Sequence, residues 1–344
     1  DFSANYHNND QCIVTYYSVG GGFIEKKGKV EKIKDKSAIP YPIQKAEHII
    51  KWSLSNKKSL AEISMENEMC WLDKEKIISS LDKIWETMLN SIFVGCQTGG
   101  ELPGGLNVKR RAKLLNDSLL GDSIYSSKHE WMDLIKNQNH ELDVVTNWVS
   151  CFALAVNEVN ASYGKIVTAP TNGAAGVIPA VLMYYLCFKK NNGRKDIREF
   201  LLVAGEIGML FKKGATISAA AGGCQAEIGV SSAMAAAALA HVLGGTTLQV
   251  LMAAEIAMEH HLGLSCDPIM GLVQVPCIER NTMGAMKAIT AAQLALKSNP
   301  SDAKVSLDDV IKTMWKTGQD MMDKYKETSE GGLAVQVSIN QPEC

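Results

Sequence analysis

Aromatic side chains are scarce in this sequence, only 6% of its 344 residues, while Ala, Gly and Met are plentiful. A core built from such a composition relies on small side chains at close helix contacts rather than on large rings. A surplus of either charge is also missing: 35 Lys and Arg stand against 37 Asp and Glu, for a formal net charge of −2. That excludes the basic footprint of a nucleic-acid binder. No GxxxxGK[ST] phosphate loop, GxGxxG turn, HExxH helix or GxSxG elbow occurs, so the common nucleotide, zinc-protease and serine-hydrolase signatures give no lead. Nine cysteines, an odd number at scattered spacings with no CxxC pair, do not form a secreted disulfide framework. No signal peptide is expected. The expected compartment is the reducing cytosol, where thiols serve as metal ligands, catalytic groups or inert core residues.

What is present is mostly helical pattern. Residues 11–24, "QCIVTYYSVGGGFI", are rich in β-branched and aromatic residues and broken by three glycines, which predicts strand, glycine-rich turn, strand. A Lys-rich stretch ending in Pro40 and Pro42 reads as a linker. From about residue 43 apolar residues recur at helical spacing. Asp73 is placed to cap the run "LDKEKIISSLDKIWETMLNSIFVGC", Gly164 to stop "ELDVVTNWVSCFALAVNEVNASYG", and Ser306 with Asp309 to open "SLDDVIKTMWKTGQDMMDKYKET". No strands alternate with these helices, and no repeat or low-complexity tract is found. The expected fold is mainly α, helical almost throughout from about residue 43. The sequence starts abruptly at Asp1 inside what reads as a β-segment, as expected of an N-terminally incomplete chain.

Residues 228–254 contain no Asp, Glu, Lys or Arg and are long enough for a bilayer. Polar Ser, Thr, His and Gln interrupt the run, and Gly244-Gly245 divides it. A buried helix pair is the favoured reading and a membrane span the alternative.

Three glycine-rich loops stand out: "GCQTGGELPGGLNVKRR" (95–111), "TAPTNGAAGVIP" (168–179) and "GATISAAAGGCQAEIG" (214–229). Small residues let backbone approach a ligand, and free N–H groups at a following helix start suit an anion. Thr171, Asn172 and Gly173 are placed at such a start, a good position for a carboxylate. Each loop could also be a plain interhelical turn.

Cys266 follows Cys224 by 42 positions, and Cys277 follows Cys266 by 11. Neither the paired ligands of a zinc site nor a dense ferredoxin run is present. Three loop cysteines could converge on one four-iron cluster and leave an iron open as a Lewis acid; spacing alone favours three unrelated buried thiols. Cys70, Cys151 and Cys187 have core-like neighbours, Cys96 lies in the first loop, and Cys12 lies in a strand pattern. Cys344 ends the chain, joining a thiol to a free carboxylate. Such a tail is usually disordered, but it could present both groups to an open iron and imitate an amino acid.

The stretches "TAPTNGAAG", "GATISAAAGGCQAEIGV", "MEHHLGLSCDPIMGLVQVPCIERN" and "YKETSEGGLA" closely resemble the iron–sulfur L-serine dehydratases (L-serine ammonia-lyases) of bacteria. The resemblance runs from about residue 43 onward, and "VTYYSVGGGF" extends it; it implies an all-helical catalytic domain at 46–344, a linker at 36–45, and at 1–35 the remnant of a smaller α+β domain. It implies a lyase of serine degradation, linked to gluconeogenesis, that converts L-serine to pyruvate and ammonia without pyridoxal phosphate. It implies a [4Fe–4S] cluster held by Cys224, Cys266 and Cys277, with Cys344 as a removable fourth ligand. It also implies a cytoplasmic homodimer with L-serine as its small-molecule partner, and neither nucleic acid nor membrane. The family's "SSSHT" segment, whose histidine is the proposed base, has no counterpart here, so no catalytic base is assigned. Thr171, Asn172 and Gly173 are the candidate substrate contacts. Glu279, Arg280 and Asn281 follow a cluster ligand and are expected to support it from behind, with a structural ion pair as the alternative for Arg280. His260 and His261 are expected to be core or supporting residues.

Overall fold

The computed structural model describes residues 2–5, 11–20, 23–28 and 39–337. Cys344 and part of the expected linker, 36–38, lie outside the described residues. Two short antiparallel hairpins come first. β1 (Phe2–Asn5) pairs with β2 (Gln11–Val14), and β3 (Tyr16–Gly20) pairs with β4 (Phe23–Lys26) with a register shift between Ser18 and Gly20. The expected strand, turn and strand over 11–24 correspond to β3 and β4, with β2 ahead of them.

All further regular elements among the described residues are helical. They are α1 (Ala46–Asn56), α2 (Leu60–Glu68), α3 (Lys74–Gln97), α4 (Ala112–Leu120), α5 (Lys128–Lys136), α6 (Leu142–Ala161) and α7 (Val177–Phe188). There follow α8 (Arg194–Gly214), the short α9 (Ala219–Gly222), α10 (Ile228–Val242), α11 (Thr247–Glu259), α12 (Cys277–Lys297), α13 (Leu307–Asp320) and the single turn α14 (Leu333–Gln336). The fold is mainly α, as expected.

α10 is the axis of the core. It packs against α7, α8, α11 and α12, and residues Ile228 to Ala240 are buried without interruption. Its alanines at 233, 235–238 and 240 are fully enclosed. A helix surrounded by other helices cannot be amphipathic, and alanine on every side lets four neighbours approach its backbone. The uncharged run 228–254 is therefore two helices, split at Gly244-Gly245. No helix among the described residues is long and apolar enough to cross a membrane.

The scarce aromatics are concentrated. Trp131 of α5 meets Trp148 and Phe152 of α6 edge-on, with ring centroids 6.3 and 6.1 Å away, and Trp148 stacks on Phe152 at 5.4 Å. Such pairs add to the value of their buried area. Nearby α3 crosses α6 so closely that the Cys96 and Cys151 sulfurs are 3.6 Å apart, both fully buried. Cys96 is thus a core residue at the end of α3, not part of a loop. Cys70 departs from expectation in the other direction: it sits half-buried in the turn after α2.

Two helix ends differ from their expected form. Asp73 occupies the N-cap of α3, but its side chain caps nothing and pairs instead with Lys76 at 3.1 Å. α6 stops at Ala161, and the left-handed residue after it is Tyr163, not Gly164. Ser306 does cap α13, accepting from the Asp309 N–H at 3.2 Å.

Two stability effects follow. A Cβ at Gly95 would collide with the Ala155 backbone, whereas one at Gly205, exposed on α8, would meet open space. Gly95→Ala should destabilise by roughly 1–3 kcal/mol through overpacking. Gly205→Ala should stabilise by about 0.5–1 kcal/mol through helix propensity. Urea unfolding midpoints of the two variants should therefore move in opposite directions. The second effect depends on pH. Glu255 of α11 is 5% exposed, and one carboxyl oxygen finds no partner among the described residues. Burial, reinforced by Glu259, pushes its pKa up to about 8. The folded state thus keeps a proton that the unfolded chain releases near the ordinary carboxyl value, so this group favours folding at low pH and progressively loses that effect as pH rises toward 8. Glu255→Gln should leave stability near wild type at pH 5 and exceed wild type at pH 8.5, by on the order of 1–3 kcal/mol; denaturation at the two pH values measures the difference.

Candidate functional site

Three separate elements deliver the three cysteines. Cys224 opens a 3₁₀ turn, Cys224–Ala226, between α9 and α10. Gln225 anchors that turn: it is fully buried, its amide donates to the Met314 carbonyl at 3.2 Å, and its carbonyl oxygen accepts from the Gly263 N–H at 3.0 Å. Cys266 lies in the loop after α11, and Cys277 is the first residue of α12, where the helix dipole favours a thiolate. All three are buried, at 2%, 2% and 7% exposure. Ligand atoms of Cys224, Cys266 and Glu227 lie within 4.8 Å of one another. Ala219 and Leu264 pack around Cys224 and Cys266.

The electrostatics indicate a missing positive charge. The Cys266 thiol is pushed far above its usual range, first by its contact with Cys224 and then by burial. Cys277 is raised by burial and then by the charge of Cys224. Without a counter-charge these thiols cannot all ionise. A bound metal centre would supply that charge and deprotonate them, so the donor set fits one. Arg280 brings a cation to the thiols. Its guanidinium donates to the Cys224 sulfur at 3.1 Å, to the Ser265 carbonyl at 2.8 Å and to Asp267 at 2.7 Å. The ion pair expected as the alternative for Arg280 is present, and it aims the group at the Cys224 sulfur.

Asp267 extends this contact to the end of the described chain. Its second oxygen accepts the Leu333 N–H at 2.8 Å. Gly332 adopts φ +61°, a left-handed conformation suited to glycine, and a side chain there would collide with Asp267. Cys266 is framed by the same segment: its N–H donates to the Tyr325 carbonyl at 2.7 Å, and its carbonyl accepts from the Glu327 N–H at 2.8 Å. Ser329 donates to the Pro268 carbonyl at 2.6 Å.

The second glycine-rich loop comes to the same place. Thr171 is buried and hydrogen-bonds to Glu227. Gly173 faces the Glu227 carboxylate, and a Cβ there would lie 3.3 Å from it. Asn172 is exposed and accepts from the Thr168 hydroxyl at 2.6 Å. These residues form a turn ahead of α7, which begins only at Val177, so they sit one turn further from its N-terminus than the sequence indicated. Asn281 holds the loop. Fully buried, it accepts from the Gly176 N–H at 3.0 Å and donates to the Gly173 carbonyl at 2.7 Å and the Cys277 carbonyl at 2.9 Å. Ser231 of α10 shares its proton between the carbonyls of Ala169 and Ala174, at 2.9 and 3.1 Å.

Other candidates stand apart. Glu279 turns away to pair with Arg111 of the first glycine-rich loop at 3.0 Å, half-exposed. That loop also touches the site region through Pro103, whose carbonyl accepts from Gln274 at 2.6 Å. His260 is exposed. His261 is buried against the Ala257 carbonyl, and burial lowers its pKa to about 4, so it is neutral. Glu227 is the group that reading the sequence overlooked. Its signal was an acid three residues past Cys224 inside an otherwise Ala- and Gly-rich run. Burial lifts its pKa to about 7, against the lowering effect of the Thr171 hydrogen bond.

The family described as "Serine dehydratase alpha chain" matches residues 55–334. An L-serine dehydratase of Haemophilus influenzae is 48% identical over 329 residues, covering 95% of this chain and 69% of that protein. L-serine dehydratase TdcG of Escherichia coli is 47% identical, over 94% and 68% of the two chains. An L-serine dehydratase of Streptomyces coelicolor is 46% identical, over 94% and 68%. The matched span contains all three cysteines, the Thr171 loop and the Arg280–Asp267 pair, and the chain belongs to the serine dehydratase alpha-chain family.

Proposed function

We propose that this protein is an L-serine dehydratase, a lyase that converts L-serine to pyruvate and ammonia. The observation that supports the reading is the meeting of Cys224 and Cys266 in one buried cluster beside the Thr171–Gly173 loop, with Cys277 buried and near enough for the cysteine charges to act on one another. The reaction removes the α-proton and the β-hydroxyl of serine, and the resulting aminoacrylate tautomerises and hydrolyses.

Cys224, Cys266 and Cys277 are the residues that would hold a [4Fe–4S] cluster. Bound there, the cluster supplies Lewis acidity toward the substrate carboxylate and the departing hydroxyl. Cys344, outside the described residues, is proposed as its removable fourth ligand. Thr171, Asn172 and Gly173 orient the polar groups of serine. Asn281 fixes that loop relative to Cys277, and Arg280 offsets the Cys224 thiolate, so both position the site from behind. The enclosing helices keep bulk water from the thiols, which strengthens each of these polar interactions.

Protein purified without oxygen should form pyruvate from L-serine. Cys224→Ala, Cys266→Ala and Cys277→Ala should each lose iron and lower turnover by more than the roughly 10–100-fold typical of an outer-shell change. A visible spectrum indifferent to serine, together with no pyruvate, would mark an electron carrier and overturn the reading. Cys344→Ala should retain turnover in freshly prepared anaerobic enzyme but lose it faster in air; equal half-lives in air would remove Cys344 from the site.

A further inference from the structure

Resting on the reading of this site as one for L-serine, we propose that Glu227 is the carboxylate that receives the α-ammonium group of the substrate. An amino acid brings a cation as well as an anion, and the site must answer both. Around the cysteines most acids are already committed. Asp267 accepts from Arg280 and from the Leu333 N–H. Glu279 is held by Arg111. Glu327 is exposed; its backbone N–H engages the Cys266 carbonyl, and its charge reaches Glu227 and raises that group's pKa. Glu227 differs in both position and pairing. Its carboxylate lies within 4.8 Å of the Cys224 and Cys266 sulfurs. Among the described residues no Lys, Arg or His forms an ion pair with it.

The surroundings of Glu227 are those of a binding group rather than a structural one. Thr171 hydrogen-bonds to it from the glycine-rich loop, which fixes the carboxylate while leaving lone pairs free. Gly173 contributes no side chain above it, and a Cβ there would crowd the carboxylate oxygens at 3.3 and 3.5 Å. Glu227 itself precedes α10 and is placed by it: the Ser231 N–H donates to the Glu227 carbonyl at 2.9 Å. In its charged form a largely enclosed carboxylate among thiolates, reached by the charge of Arg280 but held in no ion pair, is costly until a cation arrives. The substrate ammonium is that cation. The same pairing gives selectivity, because a hydroxy acid without the ammonium leaves the carboxylate uncompensated.

The test compares L-serine with 3-hydroxypropionate, which keeps the carboxylate and hydroxyl but lacks the ammonium. In anaerobic holoenzyme, Glu227→Gln should raise KM for L-serine on the order of 30-fold or more, as for truncating one partner of a buried charge pair. Inhibition by 3-hydroxypropionate should be unchanged or tighter, and iron content and visible spectrum should match wild type. Glu227→Asp should restore part of the preference for serine. An unchanged KM, or equal weakening of serine and 3-hydroxypropionate, would overturn the assignment. Loss of iron in Glu227→Gln would also overturn it, by placing the carboxylate at the metal. Wild-type enzyme that makes no pyruvate would sink the functional reading and this assignment together, whereas an active enzyme with an indifferent Glu227→Gln variant sinks the assignment alone.

Discussion

Close packing around α10 is the constraint on which the rest depends. Its alanines allow α7, α8, α11 and α12 to approach one backbone. The helices leaving that contact fix where three loops meet. Two serines on α10 carry this outward through hydrogen bonds. Ser231 reaches the Ala169 and Ala174 carbonyls in the glycine-rich loop, and Ser232 reaches the Gly284 carbonyl of α12, the helix that begins at Cys277. A larger residue at these positions would separate the loops that carry the thiols.

The site is held by polar groups that satisfy backbone atoms of more than one segment. Asn281 joins the α7 loop to the first turn of α12. Arg280 and Asp267 connect a cysteine sulfur, the Cys266 loop and the start of α14. Buried networks of this kind are valuable only when fully satisfied. Here the partners are complete around Arg280, while the thiols are left with raised pKa values that a bound metal's charge would lower, and Glu227 is held in no ion pair among the described residues.

Much of this was legible in the sequence because it depends on local pattern. Helix periodicity, the Ser306 cap and the Gly244-Gly245 break all act within one or two turns, and the helices appear where the pattern put them. The cysteines were legible as a set only because each sits in a small-residue or proline-flanked loop. Where the sequence misled, a competing contact prevailed. Asp73 had Lys76 within reach and did not cap. Glu279 followed Arg111 to the surface. Cys96, beside glycines in sequence, was drawn into the α3–α6 crossing because Gly95 lets those helices touch.

The sequence by itself determined the mainly helical fold, the uncharged helix pair at the centre, the three thiols and the family. These are matters of residue type and spacing along one chain. Tertiary structure alone decided that Glu227 faces the Thr171 loop, that Arg280 touches Cys224 across 56 positions, and that Asp267 ties the Cys266 loop to Leu333. Such contacts depend on the direction in which each side chain leaves its helix and on what the neighbouring helix offers it. That information exists only once the helices have packed.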